Sequence, residues 1–191
     1  MNIRVARISL LIALFLCSFC FVHPVFADEN TERKGFVMSD VDRFIKHWET
    51  SGGSELGSSQ LFIEGLCDIL TVDKPNAPLA NLPDNAYVFE KAIILTDTNG
   101  RTSTGRIDCY KRGHFVWESK QGSGTPGPDE QGPRRIGTAM RGTSTWDKRM
   151  VDARAQGENY VRSLPREEGH PPFLIISDIG HSIEVYSDFK N

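Results

Sequence analysis

Apolar residues recur at helical spacing over residues 143–164. Counted from Trp146, they follow one another at steps of 4, 3, 4, 3 and 4 residues: Trp146, Met150, Ala153, Gly157, Tyr160 and Leu164. Steps of three and four keep side chains on one side of an α-helix, so the pattern predicts one amphipathic helix. Thr143 or Ser144 can cap its first turn. Gly157 would let this helix approach a sheet closely.

A second helical pattern covers Ser54 to Val72, with Leu61, Leu66, Ile69 and Leu70 as its expected apolar contacts. Glu64 lies within this helix. A carboxylate among apolar neighbours needs an ionic partner or a metal. A position on the solvent-facing rim of the helix is the other interpretation of Glu64.

Runs of β-branched and aromatic residues predict five strands: Tyr87–Leu95, Arg106–Tyr110, Phe115–Gln121, Phe173–Ile179 and Ser182–Tyr186. The order is helix, helix, three strands, long helix and two strands, which predicts an α/β domain around a mixed sheet. Residues 122–133 contain four glycines and three prolines and are predicted to form a loop directly after the third strand.

Two carboxylates and a lysine should meet on the hairpin that turns at Gly113. Asp108 and Glu118 each lie five residues from Gly113. They are therefore expected to be cross-strand neighbours, with Cβ atoms roughly 4.5–5.5 Å apart. Lys120 is two residues beyond Glu118 and so projects from the same face. A surface hairpin with a cross-strand charge pair is the alternative interpretation.

This group of side chains suits a divalent cation and a phosphate. Adjacent carboxylates repel each other unless a cation lies between them. Mg²⁺ takes one or two carboxylates and completes its shell with water and phosphate oxygens, and Mn²⁺ is the alternative ion. The backbone carbonyl of Ser119 is a further candidate ligand. Lys120 could orient the attacking water or offset charge on the phosphate.

Five segments, in the same order and at similar spacing, resemble the N-terminal nuclease domain of MmeI-like type IIL restriction enzymes. In that family one polypeptide carries both an endonuclease and an adenine methyltransferase. The segments lie between Ser39 and Phe189: DVDRFIKHW, SSQLFIEGLCDIL, GRIDCYKRGHFVWESKQGS, RGTSTWDKRMVDARAQGENYVRSLP and PPFLIISDIGHSIEVYSDF.

The resemblance implies a restriction-endonuclease-like mixed sheet flanked by helices and a Mg²⁺-dependent DNA endonuclease of the PD-(D/E)XK type. Asp108 and Glu118 would bind the metal, and Lys120 would complete the catalytic set. The family triplet commonly reads E-A-K, and Ser119 at its middle position offers the same backbone carbonyl.

The resemblance assigns roles to three residues on the helices as well. Glu64 resembles the helical glutamate that many of these nucleases use as a metal ligand. Gln156 and Tyr160, one helical turn apart, resemble the Q-x3-Y motif of the RecB-like branch. Without the family, Tyr160 would be interpreted as core and Gln156 as its flank.

Family members continue through a helical spacer, a methyltransferase domain and a target-recognition domain. The sequence contains no glycine-rich cofactor loop and no Asn-Pro-Pro-Tyr motif. We therefore expect a cleavage module without these partner domains, of the kind that a gene fragment would encode.

The amino-terminal segment has the features of a secretory signal peptide. Arg4 and Arg7 precede an apolar run from Ile8 to Val22, and Val25-Phe26-Ala27 follows with a small residue at the cleavage site. The run is short for a membrane span, which needs about 20 residues. The predicted organisation is a signal peptide over 1–27, a linker over 28–37 and the nuclease-like domain over 38–191. A start at Met38 would leave the domain in the cytoplasm, whereas residues 1–27 would export it.

The net charge is −3, and it becomes −5 without residues 1–27, which hold two arginines and no acidic residue. Phosphate affinity needs basic surface, so we expect this domain alone to bind DNA weakly. Its basic residues are grouped around one loop, one helix and the hairpin tip: Arg134, Arg135, Arg141, Lys148, Arg149, Arg154, Lys111 and Arg112.

Three function classes stay open from the sequence. The first is a metal-dependent DNA endonuclease, the second is a non-catalytic remnant with the same fold, and the third is a secreted binding protein, suggested only by residues 1–27. Beyond that segment two cysteines remain, Cys67 and Cys109. They are too few for a disulfide framework, although one bridge between them is conceivable.

Overall fold

A mixed sheet forms the centre of the molecule. The computed structural model describes residues 5–6, 40–49, 55–81, 84–123 and 139–187. In these ranges the strands are β1 (Val5–Ala6), β2 (Tyr87–Thr96), β3 (Thr102–Lys111), β4 (Phe115–Lys120), β5 (Phe173–Asp178) and β6 (Ser182–Ser187). Their order across the sheet is β1-β6-β5-β4-β3-β2. Strands β4 and β5 run parallel, and every other neighbouring pair is antiparallel.

Helices cover both faces of this sheet. Helix α1 spans residues 40–49, α2 spans Glu55–Leu70 and α3 spans Ser144–Ser163. A 3-10 helix, Arg166–Glu168, leads from α3 to β5. The predicted order of helices and strands and the α/β mixed-sheet fold are confirmed. The two-residue strand β1, which pairs with β6, was not predicted.

The core divides into two clusters, one on each side of the sheet. The first lies under α1 and α2 and includes Trp48, Phe62, Ile63, Cys109 and Trp117. The second lies under α3 and includes Ile107, Tyr110, Val116, Tyr160 and Ile176. Because β4 sends Trp117 to the first cluster and Val116 to the second, strand alternation directs Glu118 toward the α3 side.

Helix α3 agrees with its apolar pattern. The Thr143 hydroxyl accepts a hydrogen bond from the Trp146 backbone N–H at 3.3 Å, which confirms the predicted cap. The predicted apolar stripe is buried at Met150, Ala153, Gly157 and Tyr160. A Cβ at Gly157 would lie 2.5 Å from Leu174 Cδ1, so a larger residue here would force the Leu174 side chain or the helix to move.

Helix α2 agrees with its predicted contacts at Leu66, which packs against the first cluster, but not at Leu61. Leu61, expected as a core contact, is 62% exposed, whereas Phe62 and Ile63 are fully buried. The buried side also includes Ser58 and Ser59. These small polar residues gave no apolar signal in the sequence, so the prediction left them out of the buried side of α2.

Strand β2 contains a kink at Glu90, whose φ is 54°. Tyr87 and Phe89, before the kink, pack in the first cluster, whereas Ile93 and Leu95, after it, pack in the second. In a regular strand all four side chains would point to one face. The backbone at Glu90 therefore reverses the alternation and turns the far half of the β2–β3 ribbon toward α3.

Several sequence predictions lie outside the described residues. They are the signal peptide apart from residues 5–6, the linker and the alternative start at Met38, and most of the glycine- and proline-rich loop with Arg134 and Arg135. Within the described ranges, no helix is both long enough and apolar enough to cross a membrane.

Candidate active site

The hairpin register brings Asp108 and Glu118 close together. Strands β3 and β4 turn at Gly113, whose φ of 69° is readily adopted only by glycine. The ladder pairs Lys111 with Phe115 and Cys109 with Trp117. The ladder ends there, one step before Asp108 and Glu118, and the hydrogen bond from the Ser119 N–H to Asp108 Oδ2 links the two strands at the next position.

Hydrogen bonds then connect the two carboxylates to the end of β4. Oδ2 of Asp108 accepts the backbone N–H of Ser119 at 2.7 Å. Oε1 of Glu118 accepts the Lys120 ammonium, also at 2.7 Å. The hydroxyl of Ser119 is buried and lies 3.2 Å from that of Ser177 on β5. Asp108, Glu118 and Lys120 thus form one group across two adjacent strands.

Glu118 is the most deeply buried member of this group. Its side chain is 2% exposed, and that of Lys120 is 23% exposed. Besides the oxygen bound to Lys120, Glu118 has a buried Oε2 that accepts no hydrogen bond from the described residues. A buried carboxylate oxygen in this situation normally binds a hydrogen-bond donor or a cation. Two carboxylates are a ligand set that fits Mg²⁺.

Glu64 lies on the other side of the sheet from this group. Helix α2, which carries it, packs on the face of Trp117, and Glu64 is half-buried there. In the described part of the chain no three acidic, histidine or cysteine side chains are grouped closely enough to hold a metal. The metal-binding role of Glu64, like that of the Ser119 carbonyl, stays a prediction.

The two residues of the Q-x3-Y pattern contact each other. The side-chain N–H of Gln156 donates to the Tyr160 hydroxyl at 2.8 Å. The Tyr160 ring is buried on the sheet at Gly105, where an added Cβ would lie 2.8 Å from ring atom Cε1. Both residues belong to α3, on the sheet face toward which Glu118 is directed.

A buried ion pair that the sequence did not predict adjoins Lys120. Asp178 is fully buried, and the β4–β5 register places it beside Lys120. Its two oxygens accept N–H groups of Arg141 at 2.8 and 2.9 Å, the indole N–H of Trp146 at 2.7 Å and the backbone N–H of Gly122 at 2.8 Å. Asp178 therefore ties the end of β4 to the start of α3. A charged residue that ends the apolar run FLIIS was the only sequence signal for it.

This ion pair corrects one element of the predicted basic cluster. The Arg141 side chain is only 15% exposed and is bound to Asp178, so it belongs to the interior rather than to a DNA-facing surface. Arg154 also has partners: its Nε lies 2.9 Å from Glu158 Oε1, and its Cζ lies 4.2 Å from the centroid of the Tyr186 ring. Lys148, 75% exposed and paired with Asp152, lies on the solvated side of α3.

A second buried network, also missed from the sequence, surrounds Glu168. Its carboxylate accepts Lys91 Nζ at 2.6 Å, Arg112 Nε at 2.6 Å and the Tyr110 hydroxyl at 2.9 Å. Burial opposes ionisation of Glu168, but these three donors outweigh it and lower its pKa to about 2. A lysine inside the apolar run of β2 was a signal that an acidic partner had to exist.

The lowered pKa of Glu168 predicts an acid-sensitive contribution to stability. A carboxylate whose folded-state pKa is depressed stabilises fully above its unfolded value of 4.5 and loses that contribution as the pH falls toward 2. The difference in unfolding free energy between wild type and Glu168→Gln should shrink by about 3 kcal/mol across this window. Urea melts at pH 7, 4.5, 3 and 2 measure it. A difference that does not change with pH would contradict the assigned ionisation.

The two cysteines are separate thiols. Cys67 and Cys109 are both buried and unbridged, so the predicted alternative of a disulfide is not formed. Cys67 Sγ lies 3.6 Å from the Tyr87 hydroxyl. Burial raises the pKa of Cys67 and raises that of Cys109 well above its ordinary value. Thiols of this kind stay protonated and are poor nucleophiles at neutral pH.

A family of known proteins matches most of the chain. The family model described as "MmeI, N-terminal domain" matches residues 39–191, which include every element of the sheet except β1. No curated protein matches the chain, and no solved structure does.

Proposed function

Because the chain belongs to the family of MmeI N-terminal domains, we propose that it is the DNA-cleaving module of a restriction–modification protein. The proposed reaction is hydrolysis of a phosphodiester with water as the nucleophile, dependent on Mg²⁺, for which Mn²⁺ can substitute. The family makes the chain a module related to restriction enzymes. The hairpin group supports the more specific assignment to an endonuclease.

The observation that carries this proposal is the buried Glu118–Lys120 pair with Asp108 opposite it. Isolated carboxylates avoid burial, and a buried ion pair is a poor device for stability alone. Together with Asp108 on the adjacent strand, this pair suits a phosphate substrate with a divalent cation. When bound, that ion supplies Lewis acidity to the scissile phosphate.

Each residue of the group has a proposed role. Asp108 and Glu118 hold the ion through carboxylate oxygens, and the backbone carbonyl of Ser119 is a further proposed ligand. Lys120 Nζ, which lies 2.7 Å from Glu118 Oε1, orients the attacking water and offsets charge on the phosphate. The Ser119 N–H fixes one oxygen of Asp108.

Residues on the helices complete the proposal. Gln156, held by the Tyr160 hydroxyl, is exposed at the edge of α3 and would contact the DNA backbone or the water next to it. Glu64 would act as an additional ligand only if α2 and the sheet rearranged when metal and DNA bind. DNA is the partner, and its affinity for this domain alone should be low because the bulk charge is negative.

The direct test is nicking of supercoiled plasmid by the full chain. Cleavage should require Mg²⁺ or Mn²⁺, stop with chelator and fall at least about a hundredfold in Asp108→Asn, because one carboxylate ligand is lost. Asp152→Asn is the matched control, since Asp152 is an exposed carboxylate on α3. It should cleave like wild type.

The two alternative functions give different results in the same assay. A non-catalytic remnant would bind Mn²⁺ in calorimetry, lose that binding in Asp108→Asn and leave the plasmid intact at every enzyme concentration. A well-folded chain that binds no divalent cation would contradict the site itself and favour an unrelated binding function.

A further inference from the structure

The kink at Glu90 lies at the same level of the sheet as Asp108. The β2–β3 ladder pairs Phe89 with Cys109 and Lys91 with Ile107, so Glu90 and Asp108 occupy the step between them. Residues other than glycine rarely adopt a φ such as the 54° of Glu90, and they keep it only where the surrounding structure enforces it.

The kink changes which face each strand presents on either side of Asp108. Cys109 packs in the first cluster, whereas Ile107, two residues earlier in the same strand, packs in the second. In a regular strand both would face the same way. Asp108 therefore lies at the position where β3 changes face. It is next to Cys109, whose pair with Trp117 is the last one between β3 and β4.

Glu168 binds the strands on both sides of this kink. Oε1 accepts Lys91, the residue that follows Glu90 on β2. Oε2 accepts the Tyr110 hydroxyl and the Arg112 guanidinium, which follow Asp108 along β3 and into the hairpin. The Lys91 ammonium also donates to the Asn85 carbonyl at 3.1 Å and lies 4.9 Å from the centroid of the Tyr110 ring.

We propose that Glu168 is a positioning residue for Asp108. By holding Lys91 and Tyr110 together on one carboxylate, it keeps the β2–β3 ribbon in the kinked form. That form fixes the backbone at Asp108 and with it the hydrogen bond that Asp108 Oδ2 accepts from the Ser119 N–H. Glu168 itself contacts neither substrate nor metal. The catalytic meaning of this inference rests on the proposed function, but the positioning of Asp108 can be tested without it.

The probe for the position of Asp108 is the backbone amide of Ser119, which donates to Asp108 Oδ2 at 2.7 Å. We would measure its hydrogen exchange by NMR in the full chain without metal, relative to the amide of Ile176 on β5. In Glu168→Gln the Ser119 amide should exchange about tenfold faster relative to Ile176, because the hydrogen bond to the carboxylate is lost. A purely global loss of stability would accelerate both amides together.

Val185→Ala is the matched control. Val185 packs on the first cluster from β6, so the variant loses stability without touching the Glu168 network. Its ratio of Ser119 to Ile176 exchange should equal that of wild type. The same ratio in Glu168→Gln as in Val185→Ala would overturn the inference and leave Glu168 a stabilising residue only.

Two further measurements cover the remaining cases. If Glu168→Gln does not fold, Tyr110→Phe removes one donor to Glu168 and should raise the exchange ratio by a smaller factor; no change would overturn the inference.

Mn²⁺ titration separates the role of Glu168 from the proposed nuclease function. Wild type that binds no Mn²⁺ contradicts the proposed nuclease, while the exchange ratio still decides the role of Glu168. Wild type that binds Mn²⁺ should bind it about tenfold more tightly than Glu168→Gln.

Discussion

Lys120→Ala should lose nearly all cleavage and, at the same time, become dependent on divalent cations for its stability. The ammonium of Lys120 is the cation that accompanies the carboxylate of Glu118, which is 2% exposed. Its removal should cost about 3 kcal/mol of unfolding free energy at neutral pH, because a buried carboxylate loses its counter-charge. Cleavage should fall about a hundred- to a thousandfold, as when one preorganised charge is removed from an active site.

Added Mg²⁺ should partly restore the stability of Lys120→Ala but not its activity. A cation that binds Glu118 and Asp108 replaces the missing positive charge, and binding to the native state raises stability by mass action. The shift of melting temperature on adding Mg²⁺ should therefore be larger in Lys120→Ala than in wild type. Thermal melts with and without Mg²⁺, beside plasmid nicking, measure both effects.

Lys148→Ala provides the control for this experiment. Lys148 forms an ion pair with Asp152, but its side chain is 75% exposed. Such a pair contributes less than about 1 kcal/mol, so this variant should melt and cleave like wild type. If Lys120→Ala melted like Lys148→Ala with or without Mg²⁺, the electrostatic argument for the hairpin group would be wrong.

The parts of the site that depend on neighbours close in sequence could be predicted from the chain. The glycine turn at Gly113 sets the β3–β4 register, and counting from it gives the observed pairs as far as Cys109–Trp117, one step before Asp108 and Glu118. The α3 stripe likewise depends only on steps of three and four residues, and its cap and buried positions agree with the prediction. The Gln156–Tyr160 hydrogen bond joins residues one helical turn apart.

The parts of the site that depend on partners distant in sequence could not be predicted from the chain. Lys91 and Glu168 are 77 residues apart, and Arg141 and Asp178 are 37 apart. Whether a charged residue is buried is decided by the partner that the fold supplies, and no periodicity encodes that partner. The basic cluster shows the consequence, because Arg141 was grouped with surface arginines although it is an interior residue.

The backbone conformation at Glu90 is the other feature that the pattern of residue types could not predict. The sequence YVFEKAIILT predicts a continuous strand, and β2 is one by its hydrogen bonding to β3. Nothing in the residue types indicates a positive φ, which glycine or asparagine would have signalled. The reversal of alternation is visible in the contacts on either side of Glu90, where Phe89 packs in the first cluster and Lys91 binds Glu168.

Arg141→Ala should lose more stability than Lys120→Ala. The guanidinium forms two hydrogen bonds to Asp178 and a third to the Ile179 carbonyl at 2.9 Å. Its removal leaves a fully buried carboxylate whose remaining donors, within the described ranges, are the Trp146 indole N–H and the Gly122 N–H. Breaking a buried pair from one side typically costs about 3–5 kcal/mol.

The matched control for Arg141→Ala is Arg162→Ala, which removes an arginine of α3 that is 64% exposed and 3.9 Å from Glu158. Arg162→Ala should change the free energy of unfolding by no more than about 0.5 kcal/mol. Urea unfolding of both variants decides the comparison, and equal midpoints would show that the Arg141–Asp178 pair adds little. Since Asp178 also fixes Gly122, two residues after Lys120, Arg141→Ala should cleave more slowly even where it is fully folded, whereas Arg162→Ala should not.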